Sequence, residues 1–150
     1  MITYTFAGHK TLLVSALNQI VDALESIIAT ENYICCYVGG MGEFDSQAAS
    51  AVRILKNKYP KKVISLTLVL PYMQQKINKY KYYYDSLYDD IIIPQDLIGI
   101  HYKRSITIRN RWMVDHSDYI IAMVWRNYGG AYNTLSYAIK QKKQIIFLKN

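Results

Sequence analysis

Cysteine is nearly absent: the 150 residues hold two, Cys35 and Cys36, and they are adjacent. Neighbours on a strand point to opposite faces, so the pair forms no compact chelate, and no Cys-x-x-Cys spacing exists. Both read as small residues of a buried strand. Histidine is as sparse. His9, His101 and His116 are scattered without metal-ligand spacing, so no metal and no cofactor is expected. No apolar run approaches the roughly 18 residues of a membrane span. The first residues lack a basic segment followed by a long apolar one, so no signal peptide is expected and the cytoplasm is the expected compartment. Charged residues make up only 19% of the chain against 51% hydrophobic, which excludes a disordered chain and supplies a sizeable core. With no linker or low-complexity segment, residues 1–150 read as one domain.

What the chain does have is positive charge and tyrosine. The formal net charge is +7. Lysines gather at residues 56–62, 76–81 and 140–143, mostly at predicted helix ends, where the helix dipole favours them. The excess permits an anionic ligand or nucleic acid, but its spread over several helices reads first as a solvated surface. Fifteen tyrosines are present, with Tyr80, Tyr82, Tyr83 and Tyr84 close together. They offer surface for base stacking, or cover for core or a subunit interface, and the second reading is preferred.

Apolar runs alternate with helical patterns. Strands are predicted at residues 2–6, 33–38, 63–70, 89–94, 119–124 and 144–148. Helices are predicted at residues 11–29, 46–58, 105–116 and 134–141, with a tyrosine-rich helix-and-loop segment at 73–87. Asp45 or Ser46 is the expected N-cap of the second helix. Apolar strands separated by helices predict a mainly parallel sheet covered on both faces, a Rossmann-like α/β three-layer sandwich.

The stretch from Arg109 to Ala138 carries the main functional signal. A helix bearing Arg109 and Arg111 precedes an apolar strand, and the turn Gly129-Gly130 then leads to Asn133 and Thr134 at a helix start. Such a turn aims free N–H groups and the positive helix end at one spot, which favours an anion. Arg109 adds a bidentate phosphate contact; Arg111 lies on a different face of the helix and is less direct. Gly39, Gly40 and Gly42 with Asp45 repeat the arrangement after the second strand and let a ligand approach the backbone. Gly8-His9 and Pro71-Tyr72 also follow strand ends, and ligands of such folds bind beyond the carboxyl ends of strands. These segments converge on one sheet edge. Tyr72 or Trp125 offers a stacking surface for a base, while Trp112 and Met113 read as core.

Taken together, Gly8-His9, Gly39-Gly40-Met41-Gly42 with Asp45, Leu70-Pro71-Tyr72, Tyr84-Asp85, the segment from Arg109 to Asp118, and Gly129-Gly130-Ala131-Tyr132 with Thr134 resemble the SLOG superfamily. In particular they resemble its small stand-alone branch from bacteria and phages, related to YspA-type proteins. The superfamily takes its name from DprA-type DNA-uptake proteins and from Lonely Guy phosphoribohydrolases; other members sense nucleotide signals derived from NAD. The resemblance implies a Rossmann-like domain that binds a nucleotide or its derivative. The chain departs from the Lonely Guy pattern at Asn110, where the pattern has lysine, and at Ser136, where it has its catalytic glutamate. Residues 125–128 lengthen the turn. An N-glycosidic hydrolase needs a carboxylate beside an oxocarbenium-like sugar, and Glu43 or Asp45 is the candidate substitute.

The first expectation is therefore binding of a nucleotide or NAD-derived small molecule, as a sensor or sequestering protein in bacterial or phage defence. The second is an N-glycosidic hydrolase acting on a nucleotide through Glu43 or Asp45. Nucleic-acid binding ranks third, and nucleic acid is not the expected partner. A homo-oligomer, a dimer first, is the assembly that relatives suggest, and no membrane contact is expected. The expected ligand-binding set is Gly8, His9, Gly39, Gly40, Gly42, Asp45, Pro71, Tyr72, Arg109, Arg111, Gly129, Gly130, Asn133 and Thr134.

Overall fold

The central strand of the sheet serves two cores at once. In β1 (Ile2–Gly8), Tyr4 and Phe6 join the larger core and Ala7 joins the smaller one on the opposite face, as the period-two alternation of a strand requires. The computed structural model describes residues 1–149. The other strands are β2 (Tyr33–Val38), β3 (Val63–Val69), β4 (Asp90–Ile92), β5 (Tyr119–Met123) and β6 (Gln144–Phe147). The helices are α1 (Leu17–Ile28), α2 (Glu43–Lys58), α3 (Gln75–Lys79), α4 (Lys81–Leu87), α5 (Tyr102–Asp115) and α6 (Gly130–Lys140).

The strand order is β4-β3-β2-β1-β5-β6, and every described pair is parallel. Parallel neighbours need crossovers, which here are helices on both faces. Ile20, Leu24 and Ile28 of α1 and Phe44, Ala48, Val52 and Leu55 of α2 bury into the larger core. Val114 of α5 and Ala138 of α6 close the smaller core over Ile120 and Ala122. This is the Rossmann-like α/β arrangement that the alternation of elements predicts. The direction of winding reverses at β1, so the crevice of the sheet lies between the carboxyl ends of β1 and β5.

Several element ends differ from the sequence reading, each for a local reason. The first helix starts at Leu17, not at residue 11. Residues 10–16 form a loop tied to α2 instead. The Glu43 N–H donates to the Lys10 carbonyl at 2.8 Å, the Leu12 N–H to the Glu43 carboxylate at 2.9 Å, and the Ala16 N–H to Gln47 Oε1 at 2.6 Å. Leu13, in phase with the apolar stripe of α1, is 69% exposed. Neither Asp45 nor Ser46 caps α2. Gly42 does, and Asp45 accepts the Met41 N–H at 3.1 Å from inside the first turn. α5 begins at Tyr102, within a predicted loop, because His101 Nδ1 accepts the Lys103 N–H at 3.2 Å and caps it. α6 begins at Gly130, ahead of the predicted residue 134. β1 runs on to Gly8, which pairs with Met123 and so belongs to the sheet rather than to a turn.

Candidate functional site

Gly42 and Gly129 cap α2 and α6 in nearly one conformation, φ 94° and ψ 178° against φ 93° and ψ 179°. That region is open essentially to glycine alone, so both strand-to-helix turns need one there. Their surroundings differ. Loop 10–16 closes over the start of α2, where a Cβ on Gly42 would fall 2.5 Å from the Lys10 Cα. Nothing closes over α6. The N–H groups of Gly130, Ala131 and Tyr132 enter none of the hydrogen bonds among the described residues, and the space beside Gly130 is open. At the first turn the leading donor, the Glu43 N–H, is taken by the Lys10 carbonyl; at the second it is free and faces open space, beside the positive end of a helix dipole.

A hollow of about 200 Å³ lies at that free helix start, between the end of β1 and α5. Gly8, His9, Lys10, Asp45, Arg109 and Arg126 are among its walls. His9 is 2% exposed, and its Nε2 accepts the Trp125 N–H at 3.2 Å. A neutral imidazole that accepts at Nε2 carries its proton on Nδ1. Nδ1 stands 3.1 Å from Arg126 Nη2, and since a neutral imidazole has a single acceptor nitrogen, His9 serves only one of the two donors that face it, the Trp125 N–H or Arg126 Nη2. Arg126 Nε is buried and has no partner among the described residues. Buried donors in this state call for an acceptor, and an anion entering the hollow supplies one. Burial, reinforced by the charge of Arg126, holds His9 below its ordinary range. The rings of Trp125 and Tyr128 flank the Arg126 guanidinium at 4.8 and 4.9 Å, a cation–π clamp.

Arg109, expected to bind phosphate, is 2% exposed and anchors backbone. Its Nη1 donates to the Gly39 carbonyl at 3.0 Å and to the Val69 carbonyl at 2.8 Å, and its Nε to Asn110 Oδ1 at 2.8 Å. Nη2 lies 3.6 Å from Met41 Sδ. Asp45 is the neighbouring countercharge. Burial pushes its carboxyl up to about 6, against the opposing pull of the Met41 N–H and Arg109. Burial likewise lowers Arg109, and Asp45 opposes that shift. Gly39 makes room for both, since a Cβ there would sit 3.0 Å from Arg109 Cζ and 3.1 Å from Asp45 Oδ2.

The remaining expected residues are distributed around this hollow rather than gathered in it. Gly39, Gly40 and Gly42 line a second hollow of about 280 Å³ beside Tyr84 and Tyr88, and Asp45 borders both hollows. Arg111 and Asn133 line a groove between α5 and α6, together with Gly130 and Thr134. The Thr134 hydroxyl donates to the Gly130 carbonyl and the Asn133 N–H to the Gly129 carbonyl, both at 2.9 Å, so these donors serve the helix itself. Gly8 answers to packing: a Cβ there would fall 2.0 Å from Phe44 Cγ. Pro71 is buried, Tyr72 is exposed, and Glu43 holds the Leu12 N–H; none of the three borders the hollow at α6. Gly129 acts through its cap conformation.

Sequence reasoning misses Lys10 and Arg126. Lys10 stands just ahead of the helix predicted at residues 11–29 and carries no local signal. Arg126 lies in the lengthened turn, and the signal there was a charge between aromatic residues directly after a buried strand. No cluster of His, Cys, Asp or Glu among the described residues could hold a metal ion. No described helix is long and apolar enough to cross a membrane.

No family model and no curated protein matches the chain. Solved structures do. DNA processing protein A (DprA) from Streptococcus pneumoniae matches with a TM-score of 0.69 at 15% identity, over 99% of this chain and 50% of its own. DNA processing protein A from Helicobacter pylori, which binds single-stranded DNA, matches with a TM-score of 0.66 at 17% identity, over 99% of this chain and 66% of its own. The chain thus spans 50% and 66% of the proteins it is similar to. The likeness corrects one expectation. Nucleic acid was set aside as a partner, yet a protein of this fold binds it. At these identities the likeness establishes the fold alone, and the fold of this chain is a Rossmann-like α/β fold similar to that of DprA.

Proposed function

We propose that this chain binds single-stranded nucleic acid, with one phosphate in the hollow at the start of α6 and adjoining bases stacked on Trp125 and Tyr128. The observation that carries this reading is the set of donors that meet there without acceptors. They are the first-turn N–H groups of α6, the donor left over where the Trp125 N–H and Arg126 Nη2 share the single acceptor of His9, and the buried Nε of Arg126, with Lys10 beside them. A phosphate accepts from all of them, and the helix dipole adds to the attraction. Trp125 is 36% and Tyr128 60% exposed, which leaves their rings open to bases. The net charge of +7 suits a polyanion. The Helicobacter pylori protein of the same fold binds single-stranded DNA. Under this proposal the chain acts as a single domain in the cytoplasm, in the stand-alone SLOG branch related to YspA-type proteins.

Fluorescence anisotropy with a labelled oligothymidylate tests the proposal. The expected result is binding at low salt that weakens steeply as salt is added and falls about tenfold or more in Arg126→Gln. Absence of binding at low salt overturns it.

A second reading has its own observation. The hollow is small, about 200 Å³, and Asp45 stands in its wall as an acceptor suited to a ribose hydroxyl or a base N–H. A mononucleotide or NAD-derived molecule, sensed or sequestered, fits that chemistry. Native mass spectrometry followed by denaturation separates the cases. An intact nucleotide supports this second reading. A free base or sugar phosphate would instead make Asp45 the carboxylate of an N-glycosidic hydrolase.

A further inference from the structure

A groove of about 410 Å³ runs between α5 and α6 beside the hollow. The two share Ile106, Asn110, Gly130 and Thr134, so the hollow leads into the groove at the first turn of α6. The groove carries two cations, Arg111 and Lys140, and no carboxylate. Neither cation is in an ion pair among the described residues. Arg111 is held over the Tyr137 ring, 5.1 Å from its centroid, and the Tyr137 hydroxyl is fixed in turn by donating to Asp115 at 2.8 Å. Arg111 is thereby ordered without having its charge neutralised. Gly130 and Lys140 are the two ends of α6, about 15 Å apart at the rise of an α-helix. The groove therefore extends from the free helix start to a cation a few nucleotides away.

We propose that this groove is the path of the nucleic-acid strand beyond the hollow, with Arg111 and Lys140 each neutralising one further phosphate. The proposal rests on the nucleic-acid reading of the hollow. A polyanion is the occupant the chemistry selects, because the charged groups of the groove are all cations and because the groove starts where the hollow presents its phosphate donors. The neutral side chains of Thr107, Asn133 and Ser136 add hydrogen-bonding groups along the way, indifferent to base sequence.

The test is the salt dependence of binding to a long labelled oligothymidylate and to a thymidine dinucleotide, for the wild type and for Arg111→Gln with Lys140→Gln. For the long strand, the slope of log K against log salt should become shallower by about 1.4 in the double variant, at roughly 0.7 per phosphate lost. The dinucleotide, which occupies the hollow alone, should bind the double variant as it binds the wild type. Arg111→Lys with Lys140→Arg keeps both charges and should keep the wild-type slope, which separates charge from folding. An unchanged slope with the long strand overturns the proposal, as does an equal loss for the dinucleotide. Binding of an oligoglutamate peptide that the double variant loses, with the oligothymidylate slope intact, would assign the groove to an acidic protein segment and also overturn it. If the wild type binds no oligothymidylate, the reading of the hollow fails and the groove falls with it. An unchanged slope with intact wild-type binding fails the groove alone.

Discussion

Arg109 Nη1 donates to the Gly39 carbonyl at 3.0 Å and so joins α5 to the end of β2, seventy residues earlier in the chain. The same nitrogen reaches the Val69 carbonyl at the end of β3, at 2.8 Å. Carbonyls at strand ends run out of ladder partners, and a buried one needs another donor. Arg109 supplies it, with Asp45 nearby as countercharge. A cation that the sequence assigns to ligand thus has an architectural duty at the edge of the site.

Removing that duty should be costly. Arg109→Met leaves two strand-end carbonyls and the Asp45 charge without their partner, and the expected loss is about 3 kcal/mol of unfolding free energy. Arg109→Lys should recover little, because an ammonium lacks the planar fork that serves several acceptors together. Urea denaturation measures both, and a stable Arg109→Met variant would remove the anchoring role.

Asp45 sets a pH dependence of definite sign. Its carboxyl lies at about 6 in the folded chain against an ordinary 3.8. The folded state then holds the proton more tightly, so this contribution to stability is full below about pH 3.8 and is lost as pH rises through 6. Between pH 4 and 7 the wild type should lose stability relative to Asp45→Asn, on the order of 2 kcal/mol. Thermal unfolding across that range checks it, and a gain for the wild type with rising pH would contradict the burial of the carboxyl.

His9 titrates in the opposite sense. Burial lowers it, so its contribution to stability is present above about pH 6.5 and is lost as pH falls through the lowered value. An anion in the hollow should raise it again. NMR titration of the His9 ring should therefore give a value below 6.5 in the free protein and a higher one with oligothymidylate bound. No movement on binding would place the phosphate elsewhere.

The two neighbouring glycines of the α6 turn should separate stability from binding. Gly129→Ala forces a side chain into a backbone region nearly closed to it, at about 1–3 kcal/mol. Gly130→Ala meets nothing within 4 Å, so folding should be unaffected. Its methyl group does narrow the hollow, and oligothymidylate affinity should fall. Denaturation and anisotropy on both variants would show whether the two effects part in this way.

Adjacent residues and local periodicity suffice for most of the architecture. Short apolar runs at β2, β3 and β5, each followed by a helix or a glycine turn, allow little besides a parallel sheet, because such strands must be covered on both faces. Helix starts were harder to read. Leu13 keeps the apolar phase of α1, yet residues 10–16 leave the helix because Glu43 and Gln47 of α2 bind their backbone. Periodicity does not register partners that lie about thirty residues away.

The site divides along the same line. The sequence by itself determined that two glycine turns follow buried strands, since only glycine takes the backbone conformation of Gly42 and Gly129. Which turn stays open was decided by tertiary structure alone. Loop 10–16 folds over the first and takes its Glu43 N–H through the Lys10 carbonyl, while the second keeps its free donors. His9 and Arg126, 117 residues apart, meet beside it because β1 and β5 are neighbours in the sheet. That adjacency comes from the reversal of winding at β1, which no local pattern encodes.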